Sequence, residues 1–435
     1  MTNTPAASRP GYRNPWLWIP SLYLAQGIPY VIAMTVSVIM YKRMGISNAD
    51  IALYTSWLYI PWVIKPLWSP LVDMFRTKRF WIVTLQFFIG ASLAGVALTI
   101  PVPFFFQVTL AIFWLMAFSS ATHDIAADGF YMLGLQEHEQ AAFVGIRSTF
   151  FRIAMITGQG VLVVLAGSLE TSLGNVATAW SITFGVIAAL FFVFFVYHRF
   201  MLPYPESDRP VRGVGPERAG FLGEFTRVFA SFFRKPRIIQ TILFLLFYRF
   251  GEAQLVKMVT PFLLDAREAG GLGLSTSEVG IAYGTVGVLA LLAGGILGGL
   301  LISRHGLKFW IWPMVFIMHL PDLAFIYLSQ VQPDNFYFIT AAVATEQFGY
   351  GFGFTAYMLY MILVSEGESK TAHYAICTGF MALGMMLPGM FSGMIEEAVG
   401  YKLFFIWIIL STIPSFIVPA LVKIPGGFGK KAVKK

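Results

Sequence analysis

Charged residues are scarce in this chain of 435 residues: they make up 12% of it, whereas hydrophobic residues make up 57%. Soluble proteins carry about 25% charged residues. Many windows of about 20 residues contain no charge at all, which is typical of membrane-spanning helices. This composition excludes a cytosolic enzyme and a nucleic-acid binder, and it indicates a polytopic membrane protein whose main partner is the lipid bilayer.

Cysteine is nearly absent, since Cys377 is the single one. One cysteine excludes an internal disulfide and a cysteine-based metal or redox motif. The sequence also has no metal-ligand spacing of histidines, no nucleophile elbow and no loop of clustered catalytic acids. We therefore expect no catalytic residues, no metal and no cofactor, and we interpret the chain as a non-enzyme.

Long apolar runs are what the chain has instead. A hydrocarbon core about 30 Å thick takes about 20 helical residues, and runs that are apolar throughout favour helices over the alternating strands of a barrel. The predicted fold is an all-α membrane protein with twelve transmembrane helices. We number these spans 1 to 12; they lie near residues 16–40, 51–72, 80–100, 104–133, 142–166, 175–198, 237–264, 277–303, 308–329, 336–364, 371–396 and 402–422.

Basic residues set the predicted orientation. With the N-terminus inside, most of the 30 lysines and arginines fall in cytoplasmic segments, and Lys42, Arg43, Arg267 and Lys402 are the exceptions on the outer side. The positive-inside rule then places both termini of this multi-pass membrane protein in the cytoplasm.

A polar stretch rich in proline and glycine separates the two halves. We expect an N-terminal six-helix bundle at 1–200, a cytoplasmic linker at 201–236 and a C-terminal six-helix bundle at 237–435. The segment after span 2, from Ser69 to Arg79, aligns with the segment after span 8, from Gly299 to Lys308. A second match, of Tyr131 with Tyr360, falls at nearly the same offset, so a parallel duplication is indicated.

The loop after span 2 carries an acid followed by basic residues, and its partner after span 8 carries a glycine. This pair resembles the loop motif of the major facilitator superfamily, which implies two six-helix bundles around a central cavity. We expect a charge network between the bundles that gates access, although simple positive-inside topology is the alternative. The expected gating residues are Asp73, Arg76, Arg79 and Arg304.

Ten charged residues fall inside predicted spans, where a charge persists only if it is paired or faces water. They are Lys65, Arg147, Arg152, Arg249 and Lys257, and Asp124, Asp128, Glu252, Asp322 and Glu346. Mutual neutralisation is one interpretation, and a transport site is the other.

Three of these charges, Arg152, Arg249 and Glu346, come out near mid-membrane, and we expect them to line a substrate site. Arginine binds carboxylates and phosphates through two parallel hydrogen bonds and keeps its charge. The substrate is therefore expected to be a small anionic molecule. Lys65, Gln26 and Tyr350 are further candidates for substrate binding.

Four acids are candidates for proton coupling: Asp124, Asp128, Glu252 and Asp322. Asp124 and Asp128 are four residues apart and share one helix face, so they repel each other unless a cation lies nearby. Lys65 or Arg147 could supply that cation; alternatively, one of the two aspartates holds a proton.

Helix breakers suggest where a cavity is lined. Gly27 and Pro29 are expected to interrupt span 1, and a ladder of glycines, Gly349, Gly351 and Gly353, is expected to soften span 10 just after Glu346.

A narrower resemblance begins at Lys65-Pro-Leu-Trp-Ser-Pro-Leu-Val-Asp73. It extends through Gly27-Ile-Pro29, Ser119 to Asp128, Tyr248 to Glu252 and Glu346-Gln347, from about residue 20 to 400. The chain resembles the AmpG permeases, the muropeptide importers of Gram-negative inner membranes. Members of that family often carry lysine at the position of Arg249 and aspartate at that of Glu252.

The resemblance implies a monomeric secondary transporter that imports an N-acetylglucosaminyl-anhydromuramyl sugar or muropeptide together with protons. Import of a siderophore or acetyl-coenzyme A is the alternative within related branches. A membrane sensor of cell-wall fragments is a further alternative, although the chain has no sizeable cytoplasmic signalling domain.

Overall fold

The computed structural model describes residues 13–209, 223, 226–227, 229–367 and 370–430. All regular elements in these ranges are helices, and all twelve predicted spans lie on them.

The first six spans occupy the chain from Pro15 to Met201. Their helices are Pro15–Leu17, Ile19–Val31, Ile32–Val36 and Ser37–Arg43 for span 1, Asn48–Trp57 and Ile60–Phe75 for span 2, Lys78–Thr99 for span 3, Phe105–Gly134 for span 4, Glu137–Met155, Ile156–Leu162 and Val163–Leu173 for span 5, and Val176–Met201 for span 6.

The last six spans follow the linker. Their helices are Ile238–Phe247 and Phe250–Leu264 for span 7, Thr276–Val279, Gly280–Gly287 and Val288–His305 for span 8, Leu307–His319, Leu320–Asp322 and Leu323–Val331 for span 9, Phe336–Ser365 for span 10, and Lys370–Ser411 and Ile413–Leu421 for spans 11 and 12. Gly400, with φ of 75°, marks the break between spans 11 and 12.

By length and composition, nine helical segments of the described chain are apolar enough to cross a membrane. One of them, Ala372–Leu421, contains both span 11 and span 12. Spans 2 and 7 are not among the nine, and each is divided into two shorter helices. The interruption of span 7 positions Arg249, as described below.

Contacts divide the chain into two compact units. Unit 1 comprises residues 1–40 and 64–215, and unit 2 comprises residues 41–63 and 216–435. The end of span 1 and the first part of span 2 thus pack with the C-terminal spans. The bundle boundaries expected from the sequence, 1–200 and 237–435, stay a prediction.

Each unit has its own apolar core. In unit 1 the core surrounds Trp18, Phe130 and Tyr131. In unit 2 it surrounds the aromatic rings of Phe244 and Tyr248 in span 7 and of Tyr357 in span 10.

Span 1 is distorted where a break was expected, but the chain stays helical. Pro29 lies within the helix Ile19–Val31, and a π-helical segment, Ile32–Val36, follows it directly. Proline cannot donate the backbone hydrogen bond of an α-helix, so a wider turn beside it is a common solution. A second π-helical segment, Ile156–Leu162, lies in span 5.

Span 10 contradicts the expectation of a softened helix. Phe336–Ser365 is one uninterrupted helix, and its glycines are places where neighbouring helices come very close. A Cβ atom at Gly351 would collide with the carbonyl oxygen of Leu291 in span 8, and one at Gly349 with that of Ile317 in span 9. These glycines therefore serve close helix packing.

Candidate functional site

In unit 1, each aspartate of span 4 has its own cation. Lys65 Nζ lies 3.7 Å from Asp124 Oδ2, and Arg147 Nη2 lies 2.9 Å from Asp128 Oδ1. The Tyr23 hydroxyl also donates to Asp128, at 3.4 Å, and its ring lies under the Arg147 guanidinium. Both cations that the sequence suggested are thus present, one for each aspartate, so neither acid needs a proton to offset its charge.

Gln26 and Arg152 lie beside a close contact of spans 1 and 5. A Cβ atom at Gly27 would lie 2.6 Å from Ala154 Cβ, so the two helices touch next to both side chains. Arg152 is half-buried and makes no hydrogen bond or ion pair with a described residue. The buried Gln26 Oε1 likewise has no partner in the described part of the chain. Both are available for a ligand.

In unit 2, Arg249 lies at a break in span 7. Its backbone, with φ of −118° and ψ of 24°, separates the helices Ile238–Phe247 and Phe250–Leu264. Its Nη2 donates to the Tyr350 hydroxyl, and its guanidinium lies 4.8 Å from the Tyr350 ring centroid and 4.6 Å from that of Phe354. Nε has no hydrogen-bond partner among the described residues. The break and the aromatic rings hold a guanidinium that retains a free donor.

A second break, in span 9, completes a buried cluster. Pro321 lies in the 3-10 turn Leu320–Asp322, between the two helices of that span. The turn places His319 Nδ1 3.2 Å from Asp322 Oδ2. Glu252, in the first turn of Phe250–Leu264, joins them, with one ligand atom from each of the three residues within 4.8 Å of the others.

We call Glu252, His319 and Asp322 the acid cluster. Relative exposures are 0% for Glu252, 3% for His319 and 1% for Asp322. Both carboxylate oxygens of Glu252 and the Oδ1 atom of Asp322 have no partner among the described residues. The donor set is compact enough to share one proton or to hold one cation.

Glu346 is a third buried acid in this unit. Its exposure is 0%, and both of its oxygens accept hydrogen bonds from Gln347 Nε2, at 3.2 and 3.0 Å. Glu252 and Asp322 are among the titratable groups close enough to interact with it electrostatically. Three buried carboxylates thus share their region with Arg249, and an ionised carboxylate without a partner costs several kcal/mol in a dry interior. A surplus of negative charge remains unless protons or cations neutralise it.

The residues expected to form a gate lie in different surroundings from one another. Arg79 donates to the carbonyl oxygens of Leu202 and Arg199 and lies over the Tyr204 ring, at 3.8 Å from its centroid. Arg76 is exposed and lies over Phe80, and Arg304 is exposed at the end of span 8. The side chain of Asp73 lies outside the described part of the chain. Their gating role stays a prediction.

Unit 2 also contains a polar cluster that the sequence did not reveal, near the predicted outer end of the spans. Lys42 Nζ lies 2.5 Å from Asp265 Oδ1, and Tyr401 donates to Asp265 Oδ2 at 2.7 Å. The Asn48 amide donates to Glu396 Oε2 at 2.7 Å. Lys42 and Asp265 lie in different halves of the sequence, so no local signal could have paired them. We call these five residues the outer polar cluster.

Comparison with known proteins agrees with this architecture. The chain is 25% identical over 413 residues to the putative transporter AmpG 4 of Rickettsia conorii, covering 91% of this chain and 94% of that one. It is 25% identical over 404 residues to the anhydromuropeptide permease of Escherichia coli K12, covering 91% and 77%. A solved structure of a D-xylose-proton symporter superposes with a TM-score of 0.71 at 13% identity, covering 96% of this chain and 99% of that one.

These likenesses confirm the fold predicted from the sequence, that of the major facilitator superfamily, and they confirm the resemblance to AmpG permeases. The protein is a multi-pass membrane transporter of a small molecule and not an enzyme. Residues 26–328, more than half of the chain, match the profile of the BT1 family, and the chain therefore belongs to the BT1 family.

Proposed function

We propose that this transporter is a proton symporter that imports an anionic cell-wall sugar or muropeptide across the bacterial inner membrane as a monomer with both termini in the cytoplasm. The observation that carries the coupling is the acid cluster: two fully buried acids, three of whose four carboxylate oxygens have no partner among the described residues.

The acid cluster carries the proton in this proposal. The carboxylates of Glu252 and Asp322 lie close together in the acid cluster. Two ionised carboxylates at such a short distance repel each other strongly. One proton held between Glu252, Asp322 and His319 removes a negative charge from the site. Loss of that proton restores the repulsion and favours a state in which water reaches the acids. Asp124 and Asp128 are weaker candidates, because both already have ion-pair partners.

Arg249 binds the anionic group of the substrate. It lies three residues before Glu252, at the start of the same helix, so the substrate charge and the proton act on one element. A helix N-terminus favours negative charge, and transporters commonly use interrupted helices at their substrate sites. The Tyr350 ring offers a face for a sugar, and its hydroxyl holds the guanidinium.

Arg152, Gln26 and Lys65 supply further polar contacts in this proposal, and Glu346 supplies an acceptor for sugar hydroxyls. The name of the Escherichia coli relative, an anhydromuropeptide permease, supports the choice of a cell-wall fragment as the substrate. Asp73, Arg76, Arg79 and Arg304 are proposed to gate access on the cytoplasmic side.

A ligand screen tests the substrate assignment. Purified protein is heated with an N-acetylglucosaminyl-anhydromuramyl compound, an unrelated oligosaccharide, a siderophore or acetyl-coenzyme A, each at two pH values, because a ligand that binds the folded state raises Tm. We expect the first compound alone to raise Tm, and Arg249→Ala to remove the shift. A larger shift with a siderophore or acetyl-coenzyme A would contradict the assignment.

A further inference from the structure

A buried lysine in span 7 has no role in the site described above. Lys257 lies in the helix Phe250–Leu264, eight residues after Arg249, and its exposure is 7%. Its Nζ has no hydrogen-bond partner among the described residues and joins none of their ion pairs. A buried ammonium group without a counter-ion is costly, so this position calls for an anion.

A second polar atom without a partner lies in span 2, on the side chain of Ser56. The exposure of Ser56 is 1%, and its Oγ has no hydrogen-bond partner in the described part of the chain. Its neighbour Thr55 behaves differently, because the Thr55 hydroxyl donates to the carbonyl oxygen of Ile51 at 2.6 Å. The Ser56 hydroxyl therefore remains available as a donor.

Ser56 Oγ and the base of the Lys257 side chain lie at one junction of spans 2, 7 and 11. A Cβ atom at Gly389, in span 11, would lie 3.7 Å from Ser56 Oγ and 3.9 Å from Lys257 Cβ. Tyr59, three residues after Ser56, places its ring centroid 5.9 Å from Lys257 Nζ. Glycine at position 389 thus adds no side chain beside the Ser56 hydroxyl and the base of the Lys257 side chain.

We propose that Lys257 and Ser56 form an anion subsite, distinct from the guanidinium of Arg249, which takes a carboxylate or phosphate group of the substrate. The ammonium group supplies charge, and the hydroxyl supplies a second hydrogen bond. This inference rests on the proposed function only in naming the substrate as the source of the anion.

The presence of two cations, Arg249 and Lys257, predicts a preference among substrates. Arg249 immediately precedes the helix Phe250–Leu264 and Lys257 lies eight residues later, so their Cα atoms are about 12 Å apart along the helix axis. A substrate with two anionic groups far enough apart to reach both side chains can engage both cations, whereas one with a single anionic group engages one at a time. A sugar acid that carries an acidic peptide meets this condition, and the sugar acid alone does not.

Inorganic phosphate tests the subsite without reference to the natural substrate. At constant ionic strength, with chloride as the replacement anion, phosphate should raise the Tm of the wild-type protein in a saturable way. Lys257→Met should remove that shift and Ser56→Ala should reduce it, whereas Lys402→Met, at an exposed lysine of the same unit, should keep it. No shift in the wild type, or an equal shift in Lys257→Met, would overturn the proposal. The Tm of each variant without phosphate shows whether it is folded.

This substrate preference is tested with N-acetylglucosaminyl-anhydromuramic acid and with the same compound bearing an acidic peptide. Lys257→Met should weaken binding of the peptide-bearing compound by about tenfold or more and leave the other nearly unchanged. Equal weakening of the binding of both compounds would overturn the predicted substrate preference. If phosphate binds at Lys257 while neither compound binds the wild type, the anion subsite is supported and the proposed substrate is wrong.

Discussion

Replacing Glu252 by glutamine tests proton coupling separately from the movement of substrate across the membrane. The amide keeps the size of the side chain but cannot bind and release a proton. Because both Glu252 oxygens lack a partner among the described residues, the substitution breaks no described hydrogen bond. We therefore expect a folded protein that still exchanges substrate across the membrane but no longer accumulates it against a gradient.

The size of the effect follows from the energy of one proton. A gradient of one pH unit supplies about 1.4 kcal/mol per proton, which corresponds to about tenfold accumulation of substrate. With one proton per substrate, wild-type proteoliposomes that are acidic outside should reach a ratio of about ten. Glu252→Gln should remain near one under the same gradient.

The assay compares gradient-driven uptake with counterflow, in which substrate loaded inside exchanges for labelled substrate outside. Glu252→Gln should keep counterflow and lose accumulation, whereas Glu268→Gln, at an exposed acid of the same unit, should keep both. Full accumulation by Glu252→Gln would refute the assignment of the proton to this residue. Accumulation driven by a sodium gradient instead would show that the acid cluster holds a metal cation.

Three further experiments test other parts of the account. Arg249→Lys should weaken binding of the anionic substrate by about tenfold, measured by titration, because lysine loses the two parallel hydrogen bonds of the guanidinium. A double-mutant cycle of Lys65→Met and Asp124→Asn should show a coupling of about 1 kcal/mol in thermal unfolding, because the 3.7 Å pair is partly exposed, and additive effects would contradict it. Asp265→Ala should lower stability by about 2 kcal/mol, because it leaves the mostly buried Lys42 without its ion-pair partner, and an unchanged Tm would count against that pair.

Much of the helical framework could be predicted from the sequence, because hydropathy reports burial in lipid directly. The two cations near Asp124 and Asp128 could also be anticipated, since four residues of separation place both acids on one helix face. Span 10 shows the limit of such reasoning. Glycines allow either a flexible turn or close packing, and only the neighbouring helices decide between them.

The breaks in spans 7 and 9 differ in how well the sequence predicts them. Pro321 is a local signal for the turn in span 9, because proline cannot continue the hydrogen bonding of a helix. No proline marks the break at Arg249, so the position of its guanidinium follows from tertiary packing alone. The outer polar cluster could not be predicted from the sequence for a similar reason, since Lys42 and Asp265 come into contact only in the folded chain.

Substrate-driven movement of protons tests the central claim most directly. Proteoliposomes containing a pH-sensitive dye, with no initial pH gradient, receive N-acetylglucosaminyl-anhydromuramic acid outside. A proton symporter predicts that the interior acidifies as the sugar enters, and that Glu252→Gln takes up the sugar without acidification. Entry of the sugar into wild-type vesicles with no change of interior pH would contradict the account.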